Sequence, residues 1–306
     1  IPSRLVGSEM CIRDRVYIEP LVGSYRGFEV ATNQLPGGGL MILQMLNILE
    51  NFDLSMLGHN SAKFIAVVVE AMKYATINKD NFMGDPNFID VPEDKLLSKE
   101  YATMIAEKIR SGEKANVERI NTGAPESKDT THLVVADRSG NLINLTHSLG
   151  SSSGVITDGL GFMYNNCMMV FDPREGKVGS LAPGKARFTA MCPTMILKDG
   201  VAMLALGAPG GTTITMGVLQ AILNVVDFGM NAQESVGAPR FCATSNTIEL
   251  TNRILRSVEK DLQVSGYATT RYASSYVTPL VHAIRIIEGK LDGGADPGGG
   301  GMVAFC

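Results

Sequence analysis

The chain has 306 residues, 45% of them hydrophobic, so it can bury a substantial core as one or two domains. Its net charge of -4 and pI near 5.7 argue against a general binder of nucleic acid or anionic membrane. No apolar run approaches the roughly 20 residues of a membrane span. The five cysteines (Cys11, Cys167, Cys192, Cys242, Cys306) are scattered, with no CxxC and no histidine at metal spacing, which argues against a zinc or disulfide framework.

The first stretch, "LVGSEMCIRDR" over 5–15, has no periodicity and matches what one frame of a widely used transposase sequencing adapter encodes. Residues 1–15 are read as an artefact and set aside. The natural N-terminus, with any signal peptide, is then expected upstream of Val16, and the chain is expected to be a fragment.

From Val16 onward the pattern is protein-like. "LPGGGLMILQMLNILENF" runs from a glycine-rich loop into apolar positions at helical spacing (Leu40, Leu43, Leu46), which predicts a helix. "HNSAKFIAVVVEAMKYATINKD" predicts a longer helix capped by Asn60 or Ser61. "LLSKEYATMIAEKIRSG" predicts a third, capped by Ser98 and ending at Gly112. Residues 16–112 are therefore expected to be mostly helical. The polar stretch 111–129, with glycine and proline, reads as an exposed linker, where a chain can be cut.

Beyond the linker the period changes to two. "THLVVAD" and "LINLTHSL" flank a turn with Gly140 and Asn141, "PTMILK" and "VAMLALGA" flank Asp199-Gly200, and "VHAIRII" and "LDGGADP" flank "EGK"; each is a predicted hairpin. "TTITMGVLQAILNVVDFG" and "NRILRSVEKDLQVSGY" are predicted helices. Strands, helices and strands joined by hairpins indicate α+β, mainly antiparallel sheet layered with helices.

Six stretches, "DTTHLVVADRSGNLINLTHSL", "GFMYNNCM", "PGKARFTAMCPTMILKDG", "LGAPGG", "LNVVDFGMNAQESVGAPRF" and "GGADPGGGG", resemble in order and spacing the γ-glutamyltransferase (glutathione hydrolase) family. "YRGFEV", "GHNSAKFIAVVVEAMKYA" and "GDPNFIDVP" resemble the last part of that family's large subunit. The resemblance implies an N-terminal-nucleophile hydrolase fold, an αββα sandwich. It also implies a precursor that cuts itself between Asp129 and Thr130, which makes 16–129 the end of the large subunit and 130–306 the small, catalytic one. The residue type suits the chemistry. A threonine hydroxyl needs a nearby base, and once the chain is cut the α-amino group of Thr130, with a pKa of roughly 7.7–8.0, can serve.

By the same resemblance, Ser148 stands where a threonine hydrogen-bonds the nucleophile, and Gly210 and Gly211 match the glycines whose N–H groups form the oxyanion hole. Thr131 is expected to support Thr130 by packing or hydrogen bonding, and His132 and His147 are expected to be structural. No metal or cofactor is expected. The partners implied are a small-molecule amide, water or an amine as acceptor, and the large subunit from the same precursor. A typical relative is periplasmic or secreted.

The departures fall in the γ-glutamyl pocket. Val170 stands where the family has the aspartate that binds the substrate's α-ammonium; Cys167 and Gly150 replace polar residues, and Thr189–Ala190 replaces a serine pair that holds the α-carboxylate. A buried ammonium without a partner is strongly disfavoured, so the acyl group need not be γ-glutamyl, and acylases or small-amide hydrolases are alternative models. A non-catalytic relative kept for binding or structure is the competing reading. The glycine-rich loops do not fit nucleotide binding, because none has the strand–loop–helix phosphate pattern.

Overall fold

Leu21–Tyr25 (β1) and Phe28–Thr32 (β2) form an antiparallel hairpin turning at Arg26 and Gly27, both at positive φ, in the computed structural model, which describes residues 17–118, 129–277 and 279–305. Helix still makes up most of 16–112, as expected, and the hairpin is an addition that the sequence reading did not contain. Its turn carries arginine where the usual Asn-Gly signal would be, so the alternation of "LVGSYRGFEVAT" is easily passed over. The artefact assigned to 1–15 lies outside the described residues.

Helix α1, Gly39–Leu49, is buried on every side, as its unbroken apolar composition requires. Leu54–Leu57 (α2) is a single turn, and Ala62–Phe82 (α3) starts where the Ser61 hydroxyl accepts the Phe64 N–H at 3.1 Å. Glu93–Leu97 (α4) leads into Lys99–Arg110 (α5), capped by Ser98 and stopped by Gly112 at φ +83. The expected exposed linker begins instead as an anchored segment. Ala115 and Val117 are buried, their N–H groups donating to the Glu70 carboxylate at 2.7 Å and to Asn246 Oδ1 at 2.8 Å. Two otherwise unmatched backbone donors are satisfied there. The rest of the linker, 119–128, lies outside the described residues.

Then come Thr130–Ala136 (β3) and Leu142–Ser148 (β4), an antiparallel pair, and the shorter pair Ser152–Ile156 (β5) and Met163–Asn165 (β6). Thr194–Lys198 (β7) and Val201–Gly207 (β8) turn at Asp199-Gly200, both at positive φ as that dipeptide predicts. Helices Ile214–Val226 (α6) and Ala232–Gly237 (α7) follow. Phe241–Cys242 (β9), Thr247–Leu250 (β10), helix Arg256–Val264 (α8) and Ala268–Arg271 (β11) make a small three-stranded sheet with one parallel pair. His282–Ile287 (β12) and Lys290–Ala295 (β13) close the chain's regular structure.

The main sheet has six strands in the order β1-β2-β7-β8-β12-β13, antiparallel throughout. Side chains alternate across it. On one face Ile196, Leu204 and Leu206 join the core formed with α1, α3 and α6. The other face carries the small residues Ala205 and Gly207, and there the β3–β4 hairpin sits: Asn144 Nδ2 donates to the carbonyls of Thr194 at 2.9 Å and Leu206 at 3.1 Å. Helices, sheet and hairpin are thus layered in the expected α+β manner.

Candidate active site

The hairpin is oriented by one close approach. A Cβ on Gly207 would lie 2.7 Å from Nδ1 of His132, so only glycine lets the ring settle on β8. His132 is buried, its Nδ1 is 2.9 Å from the Thr146 hydroxyl, and it stacks on His282 with centroids 6.5 Å apart. Burial, reinforced by the neighbouring His282, pushes the His132 pKa down to about 4, so the ring is neutral at pH 7. It is a packing residue, as expected, and His147 lies exposed on the opposite face.

Asn144 sits over Leu206 and His132 over Gly207, so the hairpin advances along β8 towards its C-terminal end. The end of this ladder is the pair Thr130 and Ser148. The same sheet end receives Thr189 and Ala190, because antiparallel β7 begins beside the end of β8.

Thr130 Oγ1 and Ser148 Oγ lie 2.7 Å apart, and Ser148 Oγ also accepts the Gly150 N–H at 2.9 Å. The Asp129 carbonyl, which belongs to the peptide bond preceding Thr130, accepts the Leu149 N–H at 3.1 Å. One oxygen of the Asp129 carboxylate accepts the Ser152 N–H at 2.6 Å. A hydroxyl, a hydrogen-bonded neighbour and a polarised carbonyl are therefore in sequence at the mouth of the hairpin. Thr131 departs from expectation: strand alternation turns it away from Thr130, opposite His147, and it is exposed.

Gly210 has φ +146, outside the range of ordinary side chains, and Gly211 has φ +56, in the left-handed region that favours glycine. A Cβ on Gly210 would also lie 2.6 Å from Cα of Pro279, and the Gly210 carbonyl accepts from the N–H and hydroxyl of Thr213. The glycine pair is thus held rigidly just ahead of α6.

Cys167 and Val170 bound a 3-10 turn after β6; Cys167 Sγ donates to the Leu149 carbonyl at 3.4 Å, while Val170 is half exposed and makes no polar contact. Gly150, at φ +70, faces this turn, and a Cβ there would lie 2.7 Å from Cys167 Sγ and 3.6 Å from Nη2 of Arg187. Thr189 N–H donates to the Pro36 carbonyl at 2.8 Å, and a Cβ on Gly38 would lie 2.6 Å from the Ala190 carbonyl, so the glycine-rich loop before α1 packs against this segment ahead of β7. Arg187 is the neighbour that sequence reasoning missed. Only the fold brings it to Gly150, and its position beside "FTAM" was the one available signal. Among the described residues no group of three or more His, Cys, Asp or Glu side chains could hold a metal, and no helix is long and apolar enough to cross a membrane.

A family model described as Gamma-glutamyltranspeptidase matches residues 14–306. The chain is 40% identical over 256 residues to the Acylase ACY 1 proenzyme of Pseudomonas sp. (strain V22), covering 83% of this chain and 46% of that protein. It is 37% identical over 238 residues to the Glutathione hydrolase proenzyme of Escherichia coli (strain K12), covering 72% and 41% respectively. It therefore spans less than half the length of either relative. Cephalosporin acylase from Bacillus halodurans superposes with a TM-score of 0.79 at 24% identity, over 92% of this chain and 52% of that one. This likeness bears out the N-terminal-nucleophile hydrolase fold. With motifs, architecture and matched residues in agreement, the chain belongs to the gamma-glutamyltranspeptidase family.

Proposed function

We propose that the protein is an autoprocessing amide hydrolase or acyltransferase that works through an acyl-enzyme on Thr130. The observation that carries this is the 2.7 Å contact between the hydroxyls of Thr130 and Ser148, beside a polarised Asp129 carbonyl. In processing, Thr130 Oγ attacks the Asp129 carbonyl carbon while the Leu149 N–H stabilises the developing oxyanion. The C–N bond breaks, an ester to Oγ forms, and the hydroxyl proton passes to the nitrogen. That step frees the α-amino group of Thr130, and water then hydrolyses the ester, releasing the Asp129 carboxylate and regenerating the Thr130 hydroxyl. That amine is the base for the second reaction, in which Oγ attacks an amide, the leaving amine takes the proton, and water or another amine accepts the acyl group. Gly210 and Gly211 supply N–H groups to the tetrahedral oxyanion.

On this reading residues up to 129 form the end of the large subunit and 130–306 the small one. The proenzyme names of both relatives support a precursor. The name acylase supports an amide donor other than glutathione, in keeping with Val170, Gly150 and Ala190. Denaturing gels of the full-length protein test the reading. Wild type is expected to give two chains and Thr130→Ala one, with Thr130→Ser still cut. An uncut wild type favours the non-catalytic alternative.

A further inference from the structure

The peptide bond assigned to self-cleavage is gripped from one loop. Between β4 and β5, residues 149–152 turn three backbone N–H groups towards Asp129 and the nucleophile's partner. Leu149 N–H donates to the Asp129 carbonyl at 3.1 Å, Gly150 N–H to Ser148 Oγ at 2.9 Å, and Ser152 N–H to the Asp129 carboxylate at 2.6 Å. The loop is itself held from behind. Asn166 N–H donates to the carbonyls of Leu149 at 3.2 Å and Ser151 at 2.8 Å, and Cys167 Sγ donates to the Leu149 carbonyl at 3.4 Å. Asp129 is thus fixed at two points, main chain and side chain, directly ahead of a Thr130 hydroxyl that contacts Ser148.

The two holds serve different ends. The carbonyl must keep the Leu149 N–H, because charge develops on that oxygen when Thr130 Oγ adds to the carbon. Aspartate side chains readily hydrogen-bond nearby backbone N–H groups. A carboxylate seated on the Leu149 N–H would displace the carbonyl and set one negative charge against another. The Ser152 N–H removes that competition, and its charge-assisted bond resists rotation of the residue about its own backbone. We propose that Asp129 is the positioning residue of self-cleavage: its carboxylate, seated on the Ser152 N–H, fixes the scissile carbonyl between the Leu149 N–H and the Thr130 hydroxyl. The carboxylate takes no proton in the step; it contributes an acceptor oxygen in one place. The proposal rests on the reading of Thr130 as the nucleophile and adds the group that aims the bond at it.

Cell-free synthesis of the full-length precursor allows cutting to be timed on denaturing gels. Asp129→Ala is expected to lengthen the half-time at least about tenfold, the scale of a lost hydrogen bond to a charged group. Asp129→Asn keeps an acceptor oxygen without the charge and is expected to recover most of the rate. Ser152→Pro removes the donor at the first residue of β5, a position where proline is tolerated. Adding Asp129→Ala to that chain is expected to slow cutting no further. Cutting of Asp129→Ala as fast as wild type overturns the proposal, and so does full additivity with Ser152→Pro. Asp129→Asn as slow as Asp129→Ala also overturns it, since charge and not position then decides the rate. The same substitutions on the uncut Thr130→Ala chain control for folding. Their urea midpoints are expected to stay together, and midpoints that fall in step with the cutting rates make the contact merely structural and overturn the proposal. A wild type that stays uncut refutes the nucleophile reading and the proposal with it, whereas a cut wild type with an indifferent Asp129 refutes the proposal alone.

Discussion

The six-stranded sheet and the β3–β4 hairpin bury opposite kinds of residue. In the large sheet the face towards the helices is apolar, and Ile196, Leu204 and Leu206 are fully buried. In the hairpin the face towards the sheet carries Thr130, His132, Asn144, Thr146 and Ser148, while Leu133, Val135, Ile143 and Leu145 point outward and are 41–61% exposed. The first region is held by the hydrophobic effect, which tolerates variation in shape. The second is held by a few directed contacts, such as Asn144 on two sheet carbonyls and His132 over Gly207. Groups that do chemistry need the second arrangement, because a nucleophile must be aimed as well as stored.

Breaking the apolar region should have the largest effect. Leu204→Ala empties a fully buried site and is expected to lower unfolding free energy by about 2–5 kcal/mol, read from the urea midpoint. Lowering the pH attacks the hairpin instead. The folded pKa of His132 is depressed to about 4, so between that pH and the ordinary value near 6.5 the unfolded chain binds the extra proton. Stability is thus expected to be full above about pH 7 and to fall as the pH approaches 4, by up to about 3 kcal/mol from this residue. His282, also depressed by burial, acts in the same direction. His132→Gln should flatten the profile when melts are compared at pH 7 and 4.5.

Gly207→Ala tests the docking contact directly. The added methyl meets the imidazole, and the expected cost is about 1–3 kcal/mol. The cost should be recovered in part by His132→Ala in the same chain, as a double-mutant cycle would reveal. The smallest effect sharpens the contrast: Leu145→Ala on the exposed face should cost less than about 1 kcal/mol in this chain. A loss as large as that at Leu204 would mean that the two faces are equally buried in solution.

Local rules carried much of the fold into the sequence. Ser61 and Ser98 cap their helices as read, and Asp199-Gly200 turns its hairpin as read. What escaped depends on distant partners. The Arg26-Gly27 turn is stabilised from elsewhere, by Asp227 and the Glu50 carboxylate, so its own residues give a weak signal. The parallel pairing of β10 with β11 is made across a helix and shows no turn. At the site, the Thr130–Ser148 contact was expected from the family resemblance, and the hairpin register that pairs the two residues accounts for it. The meeting of Arg187 with Gly150 was not expected, since 37 positions separate them and no periodicity joins them. The motif residues Arg240 and Asp296 show the reverse case. They form a buried ion pair, so part of the family's motif set is scaffold.

One pairing in the main sheet bears on what a cut at Thr130 could separate. Strand β2 precedes that residue and β7 follows it, yet the two are neighbours by backbone hydrogen bonds in the middle of the sheet order. The Tyr25 hydroxyl and Arg26 reach across the same divide to Asp227. A chain broken there would leave two polypeptides interleaved through a common core rather than two bodies in contact, and their parting would require unfolding, not dissociation.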